Sequence, residues 1–435
     1  MRKDNWFVVL LVGLCLALAA MAAVSSSPSD GDKDEKAEFE GFDSLDEATV
    51  TDNWKRYFPA QYEGWTRTAE MQTTTYGGGG RAEAEDLDIK KIDYLEMYPF
   101  LKVAYDGFPF SKGFYRSRGH FHALTDVIDT ERLPDWDKRP ATCIGCKTTD
   151  VAKLNEVHGD DWYSMPFSKV IGSNTIGCLD CHSAEDASLR HVRTWLDEGI
   201  AHDTFVNIEP EGRTDLVCAQ CHTNYHFNAE TRKVELPWST GLHVEAQLEH
   251  YNAAQRSDEW VHPRTGALVA KMQHPEYELY HEGREVNVHS KLGLQCTDCH
   301  MPTAKDADGG EYTEHHWRSP LTHVESTCLG CHANWGAEGV IERAEGVQGR
   351  VYQKQNRIGR ELAEFIDAVA AKRDNDALDE ITLTRLQQIH REAQFYWDFI
   401  WVENSEGFHN WEEAHRVLDN ADALIKEGME VLDSV

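Results

Sequence analysis

The chain has 435 residues, of which 75 are acidic and 43 are basic, so its formal net charge is −32. This acidity argues against a nucleic-acid partner, because phosphate contacts need clustered Lys and Arg, and against docking on anionic lipid through a basic face. The apolar fraction of 41% excludes a disordered chain, and the length allows about three domains or one large one.

The N-terminal segment has the pattern of an export signal. Residues 1–23 begin with two basic residues, continue through a short apolar run and end in small residues typical of a cleavage site. We predict a signal peptide over 1–23, and an uncleaved N-terminal anchor is the alternative. A lipid anchor on Cys15 is disfavoured because bulky Leu14 precedes it. Residues 24–50 are polar and acidic, which predicts a flexible spacer. The signal peptide before it predicts export to an oxidising compartment.

Apart from Cys15, every cysteine belongs to a C-x-x-C pair, and there are five such pairs. They are Cys143 and Cys146, Cys178 and Cys181, Cys218 and Cys221, Cys296 and Cys299, and Cys328 and Cys331. Four pairs are followed directly by a histidine, namely His182, His222, His300 and His332. C-x-x-C-H is the attachment signature of c-type haem, with the histidine as an iron ligand. Zinc sites and disulfides are the alternatives, but neither explains why His follows four pairs. We therefore predict five covalently attached haem c groups.

Lys147 follows the first pair, where the other four pairs have histidine. A lysine amine has a pKa of about 10.4, so it must lose its proton before it can bind iron. Two imidazoles suffice for an electron-transfer haem, so a different ligand suggests an iron whose opposite face is open to a substrate. The alternative is that Lys147 is a surface residue after a degenerate motif, and the chain is then an electron carrier.

The C-terminal part has helical periodicity and no proline beyond Pro320. We predict helices over Gly349–Lys372, Ala377–Glu403 and Trp411–Leu432, because apolar residues recur there at three- and four-residue intervals. One stripe is interpreted first as core, and it consists of Ile358, Leu362, Ile366 and Val369. Frequent Gly, Pro and turn residues over 51–345 predict short helices between haem-binding loops. The predicted fold is mainly α, with few strands, a haem-filled region over 51–345 and long helices over 346–435.

The motifs occur in the order of a known family. C-x-x-C-K followed by four C-x-x-C-H sites resembles the ammonia-forming pentahaem cytochrome c nitrite reductase family. Further segments align between these sites: FPAQY at 58–62, YGGGG at 76–80, RGHFHALTDV at 118–127, QHPEYE at 273–278, YTEH at 312–315 and GFHN at 407–410.

The resemblance implies ligands and a substrate pocket. Lys147 would be the proximal ligand of the haem on Cys143 and Cys146. For the other four haems, in chain order, the second ligands would be His315, His120, His409 and His289. The pocket over the first haem would be formed by Arg132, Tyr225 and His274, which would bind nitrite and relay protons during its six-electron reduction to ammonium.

The resemblance also implies partners and a calcium site. The long helices would form a homodimer interface, the donor would be a quinol-linked cytochrome c, and the location would be the periplasm, with membrane association through that donor or an uncleaved N-terminus. Tyr225, Lys271 and Gln273 match the calcium ligands of the family, but Asn224 stands where a carboxylate is usual, so the site would be weaker, empty or occupied differently. An electron-transfer cytochrome, or a reductase of hydroxylamine, nitric oxide or sulfite, remains as an alternative function.

Overall fold

The computed structural model describes residues 38–70, 72–76, 92–201, 214–253, 259–282 and 287–435. The predicted signal peptide over 1–23, Cys15 and the four glycines of the YGGGG segment lie outside these residues. In the part of the chain that the structure describes, no helix is both long and apolar enough to span a bilayer.

The predicted spacer over 24–50 extends too far toward the C-terminus, because its last residues are folded. Helix α1 covers Leu45–Thr49, and the hydroxyl of Ser44 caps it by accepting a hydrogen bond from the backbone N–H of Glu47 at 3.2 Å. The ring of Phe39 stacks on buried Trp54 with centroids 5.6 Å apart. The acidic composition did not reveal this anchoring, because it depends on an aromatic cluster in which Phe39 contacts four rings, those of Phe42, Trp54, Tyr57 and Phe58.

The described residues between 51 and 335 form short elements, as predicted from the frequent turn residues. The longest described helix in this stretch has ten residues. The α-helices are α2 Pro59–Thr66, α3 Tyr94–Met97, α4 Leu101–Ala104, α5 Ala123–Ile128, α6 Val151–His158, α7 Phe167–Val170, α8 Thr194–Ile200, α9 Asp215–Ala219, α10 Val244–Ala253, α11 Glu276–Glu282, α12 Val288–Lys291, α13 Cys296–His300, α14 Val324–Thr327 and α15 Leu329–His332. The 3₁₀ turns are Thr51–Arg56, Arg67–Ala69, Pro109–Ser111, His120–His122, Ala141–Ile144, Gly159–Ser164, Cys178–Asp180, Pro320–Thr322 and Ala333–Trp335.

The described strands form three separate antiparallel hairpins of two strands each. The pairs are β1 His226–Phe227 with β2 Val234–Glu235, β3 Glu259–Val261 with β4 Leu268–Ala270, and β5 Thr303–Lys305 with β6 Glu311–Thr313. Each strand has only two or three residues, so the prediction of a mainly helical fold with few strands is confirmed.

Three long helices follow: α16 Gly336–Asp374, α17 Glu380–Trp401 and α18 Trp411–Asp433. Asp379 caps α17 by accepting from the N–H of Thr382, and Asn410 caps α18. Helix α16 begins 13 residues before the predicted start, so the predicted boundary at 345/346 falls inside a helix. Buried Val340 and Ala344 pack this first part of the helix.

The three helices share an apolar core with segments from the rest of the fold. The predicted stripe is fully buried, which confirms its interpretation as core: Ile358, Leu362, Ile366 and Val369. Helix α18 approaches α16 closely at Gly428, where a Cβ atom would lie 2.5 Å from the ring of Phe365. A second apolar cluster lies around the first two cysteine pairs and includes Trp162, Trp195 and Leu179.

Candidate functional site

The cysteine motifs lie in tight helical turns. In three of them the histidine N–H donates to the carbonyl of the first cysteine at 2.9 Å, namely at His182, His222 and His332. Such a turn brings both sulfurs and the following side chain to one region, as attachment to one haem requires. The ten motif cysteines form no disulfide with one another. Nor do three or more His, Cys, Asp or Glu side chains converge on one point among the described residues, as a zinc site would need.

Neighbouring motifs touch through their cysteines. The Cys221 thiol lies close enough to Cys146 to lower the pKa of Cys146 to about 7. The Cys218 thiol likewise lies close enough to Cys296 to lower the pKa of Cys296. The third motif therefore lies between the first and the fourth.

Four pairs of histidine rings face each other across short distances. The ring centroids are 6.0 Å apart for His182 and His315, 6.0 Å for His120 and His222, 6.4 Å for His300 and His409, and 6.3 Å for His289 and His332. A metal bound by two imidazole nitrogens at about 2 Å each places the ring centroids roughly 6 Å apart. Every pair joins a motif histidine to the partner that the resemblance implied, so these residues fit a haem iron between them.

Burial keeps several of these rings neutral, which is the form that binds iron. Burial lowers the pKa of His120 to about 3, with His222 adding to the effect. It also lowers the pKa of His300 to about 4 and that of His315 to about 4.

In five of these histidines the Nδ1 nitrogen lies near an oxygen of one of two kinds. In three rings Nδ1 contacts a backbone carbonyl: Ala187 for His182 at 2.7 Å, Thr313 for His315 at 2.8 Å, and Arg318 for His300 at 3.0 Å. In two rings Nδ1 faces a carboxylate: Glu276 for His222 at 3.7 Å, and Glu403 for His409 at 2.6 Å. Either partner leaves Nε2 available for a metal.

The residues predicted around the first motif come together there. Burial lowers the pKa of Arg132, and Cys143 and Tyr225 both lie close enough to oppose that shift. The guanidinium of Arg132 stacks over the ring of Phe110 at 4.3 Å. Lys147 is half-buried, and its charge lies close enough to His274 to contribute to lowering the pKa of that ring, after burial. Arg132 thus lies near Cys143 and Tyr225, and His274 lies near Lys147.

His274 is held from its Nδ1 side. The side-chain amide of Asn404 lies 3.3 Å from Nδ1, and a carboxylate oxygen of Glu276 lies 3.8 Å away. The Asn404 amide also donates to Glu276, so the three side chains form one polar cluster.

Arg193 is a site residue that the sequence analysis missed. It is fully buried, pairs with Asp180 of the second motif, and donates to the carbonyl oxygens of Gly145 and Thr148 at 3.0 Å each. Gln220 of the third motif accepts from the N–H of Arg193 at 3.3 Å. The Arg193 side chain therefore connects the first two motifs, and its backbone N–H connects them to the third. The only signal in the sequence was Asp180 inside C-L-D-C, and its role cannot be inferred until Arg193 is known to be its partner.

The residues of the implied calcium site also lie together. The Asn224 oxygen accepts from the backbone N–H of Gln273 at 2.9 Å, and its amide group donates to Gln247 at 2.7 Å. The Lys271 ammonium pairs with buried Asp398 at 3.0 Å, while Tyr225 offers a backbone carbonyl. These four residues contribute only neutral oxygens, which fit a weakly held calcium ion, since affinity rises with the number of carboxylates.

Comparison with known proteins gives consistent matches. Residues 51–434 match the family model described as cytochrome c552. Cytochrome c-552 of Porphyromonas gingivalis is 30% identical over 445 residues, covering 96% of this chain and 82% of that protein. Cytochrome c-552 of Bacteroides fragilis is 32% identical over 379 residues, covering 83% of this chain and 72% of that protein.

Among solved structures, cytochrome c nitrite reductase from Desulfovibrio desulfuricans matches with a TM-score of 0.79 and 25% identity, covering 91% of this chain and 88% of that one. That structure is described as a catalytic subunit with two calcium sites. The match confirms the resemblance drawn from the motifs, and the predicted haem c groups agree with a family of c-type cytochromes. Since the family model spans nearly all of the described residues, the chain belongs to the cytochrome c552 family.

Proposed function

We propose that this chain reduces nitrite to ammonium at a haem iron bound on one side by Lys147. The observation that carries the proposal is the contrast among the five motifs. Four have a histidine ring facing the motif histidine at 6.0–6.4 Å. The motif of Cys143 and Cys146 instead has Lys147, and Arg132 lies near Cys143 and Tyr225 while His274 lies near Lys147. When bound, the haems supply electron storage and the metal centre at which nitrite is reduced.

The side chains of the pocket suit this substrate. Nitrite, six electrons and eight protons give ammonium and two waters, so the pocket must bind an anion and deliver protons. The Arg132 guanidinium stays charged and donates hydrogen bonds to the nitrite oxygens. His274 donates from its ring and is recharged with protons, while Asn404 and Glu276 fix the orientation of that ring. The Tyr225 hydroxyl is a further donor.

The contacts between motifs support one order of electron transfer. The third motif touches the first through Cys221 and Cys146, and the fourth through Cys218 and Cys296. We place the haems on those motifs in the order fourth, third, first, so that electrons reach the Lys147 site through the haem held by His222 and His120.

The partners follow from the same proposal. We infer a homodimer through the long C-terminal helices, because the family that the chain resembles uses the corresponding helices as its dimer interface. Sedimentation of the purified protein tests the dimer. The proposal also includes a periplasmic location, a quinol-linked cytochrome c donor and a weak calcium site through Asn224. Calcium titration by calorimetry tests the calcium site.

The experiment compares wild-type protein with the Lys147→His variant. Mass spectrometry first counts the attached haems, and five are expected. Steady-state rates are then measured with nitrite, hydroxylamine and sulfite, using a low-potential dye as the donor. We expect the fastest turnover with nitrite and a loss of at least about tenfold in the variant. Equal rates in the two proteins contradict the special role of Lys147. Low-spin resonance from every iron, without turnover, indicates an electron carrier instead.

A further inference from the structure

Two buried glutamates distinguish two of the histidine pairs from a third. The pair of His182 and His315 contacts backbone carbonyls on both sides. The pair of His120 and His222 faces Glu276, and the pair of His300 and His409 faces Glu403. The charge beside the imidazole therefore differs among haems that otherwise have the same two ligands.

Glu403 is held rigidly against His409. It is 3% exposed, and its Oε1 lies 2.6 Å from Nδ1 of His409. Its Oε2 accepts from the Ser405 hydroxyl at 2.8 Å and from the N–H of Gly407 at 3.1 Å. The Ser405 N–H also donates to Oε1 at 3.0 Å. Three donors from the same loop thus hold the carboxylate in position and leave it facing the ring.

Glu276 faces two rings at once. Its Oε2 lies 3.7 Å from Nδ1 of His222, and its Oε1 lies 3.8 Å from Nδ1 of His274. Asn404 holds Oε1 through its side-chain amide and through its backbone N–H at 3.2 Å. One carboxylate therefore links a predicted haem ligand to the predicted nitrite pocket.

A carboxylate beside Nδ1 makes an imidazole a stronger electron donor to its metal than a carbonyl does. A stronger donor stabilises ferric iron relative to ferrous iron and lowers the reduction potential of the haem. A side chain that acts in this way positions and tunes a ligand without touching substrate.

We propose that Glu276 and Glu403 are positioning residues that lower the reduction potentials of the haems on Cys218/Cys221 and Cys296/Cys299 below that of the haem on Cys178/Cys181. The inference rests on the proposed function, because it takes the paired histidines as iron ligands. Glu276 in addition connects the potential of one haem to the orientation of His274.

The test is a redox titration of the full-length, haem-loaded protein, followed by visible absorbance, with electron paramagnetic resonance to distinguish the irons. Glu276→Gln and Glu403→Gln keep the shape of the side chain and remove its charge. Each is expected to raise one midpoint potential, by about tenfold in the ratio of ferrous to ferric iron, or about 59 mV for one electron. The two variants should move different haems.

The matched control is Asp197→Asn. Asp197 lies 3.2 Å from Nδ1 of His191, which belongs to none of the four histidine pairs, so every midpoint should stay in place. If a Gln variant does not incorporate five haems, the Asp variant of the same glutamate, whose carboxylate is withdrawn by one methylene, is expected to raise the same midpoint.

Unchanged midpoints in correctly loaded variants overturn the inference. The nitrite turnover of the wild-type protein is measured separately, so its presence together with unchanged midpoints refutes the role of the glutamates and leaves the proposed function standing. Absent turnover refutes the proposed function, while shifted midpoints would still support the tuning of the haems.

Discussion

The stretch that carries the five motifs and the three C-terminal helices differ in what stabilises them. The described helices before residue 336 have at most ten residues, and their loops depend on polar contacts such as the buried pair of Arg193 and Asp180. Helices α16, α17 and α18 have 39, 22 and 23 residues and share an apolar core. The long helices can stabilise one another by burying apolar surface. Short helices are marginally stable by themselves, so we expect the region before residue 336 to depend on its attached haems for stability.

The largest expected effect is the loss of one haem. Replacing Cys178 and Cys181 with Ala should reduce the attached haems by one and remove hydrogen-exchange protection around His182, because its ring loses its metal partner. Amides of α16–α18 should keep their protection, since these helices pack in a different apolar cluster from the one around Cys178 and Leu179. Mass spectrometry and hydrogen exchange measure both results. Equal loss of protection in the long helices would remove the distinction between the two regions.

The next effect concerns the buried ion pair of Arg193 and Asp180, which connects the first two motifs. Arg193→Met leaves Asp180 as an unpaired buried charge, so the motif region should lose about 3–5 kcal/mol of stability. Haem absorbance during denaturant unfolding measures the change. The double variant with Asp180→Asn removes the uncompensated charge as well and should recover part of the loss. A double variant that is no more stable than the single one would show that the charge itself is not the cause.

A core truncation in the helices tests the other region. Leu362→Ala removes a fully buried side chain and should cost about 2–5 kcal/mol. Far-ultraviolet circular dichroism during denaturation measures this change. The matched control is Ile381→Ala on α17, where the side chain is 84% exposed and the cost should stay within about 0.5 kcal/mol. Similar costs at both positions would contradict the assignment of the core.

The smallest effect is a pH dependence of the helical region. Burial lowers the pKa of His390 to about 3, and neighbouring His262 adds to the shift. The unfolded ring titrates near pH 6.5, so stability should fall as pH drops below 6.5, because only the unfolded state takes up the proton. Between pH 6.5 and pH 5 the loss is about 2 kcal/mol. His390→Gln keeps hydrogen-bonding groups toward Thr265 and Gln394 and should reduce this dependence. Thermal melts of both proteins at pH 7.5 and pH 5 measure this dependence. If the variant loses as much stability as the wild type, a group other than His390 is responsible.

Local patterns were sufficient to predict much of this molecule. The C-x-x-C-H spacing, the stripe from Ile358 to Val369 and the start of α18 at Trp411 are determined within a few turns of chain. The pairing of His120 with His222 came from resemblance, because no local rule chooses one histidine out of 22.

The missed features depend on distant partners. Glu276 is held by Asn404, 128 residues away, and its function is invisible until the fold brings both residues together. The early start of α16 depends on burial of Val340 and Ala344, which outweighs the weak helix propensity of the glycines nearby. Both the position of Glu276 and the start of α16 therefore depend on tertiary contacts.

The turn between α17 and α18 contains Glu403, Asn404 and His409, while Asn410 at its end begins α18. The spacing of those two helices thus influences the surroundings of His409, Glu276 and His274 together. A substitution that changes the packing of the helical hairpin, far from the motifs, should therefore change the absorbance and the reduction potentials of the protein as well as its melting temperature.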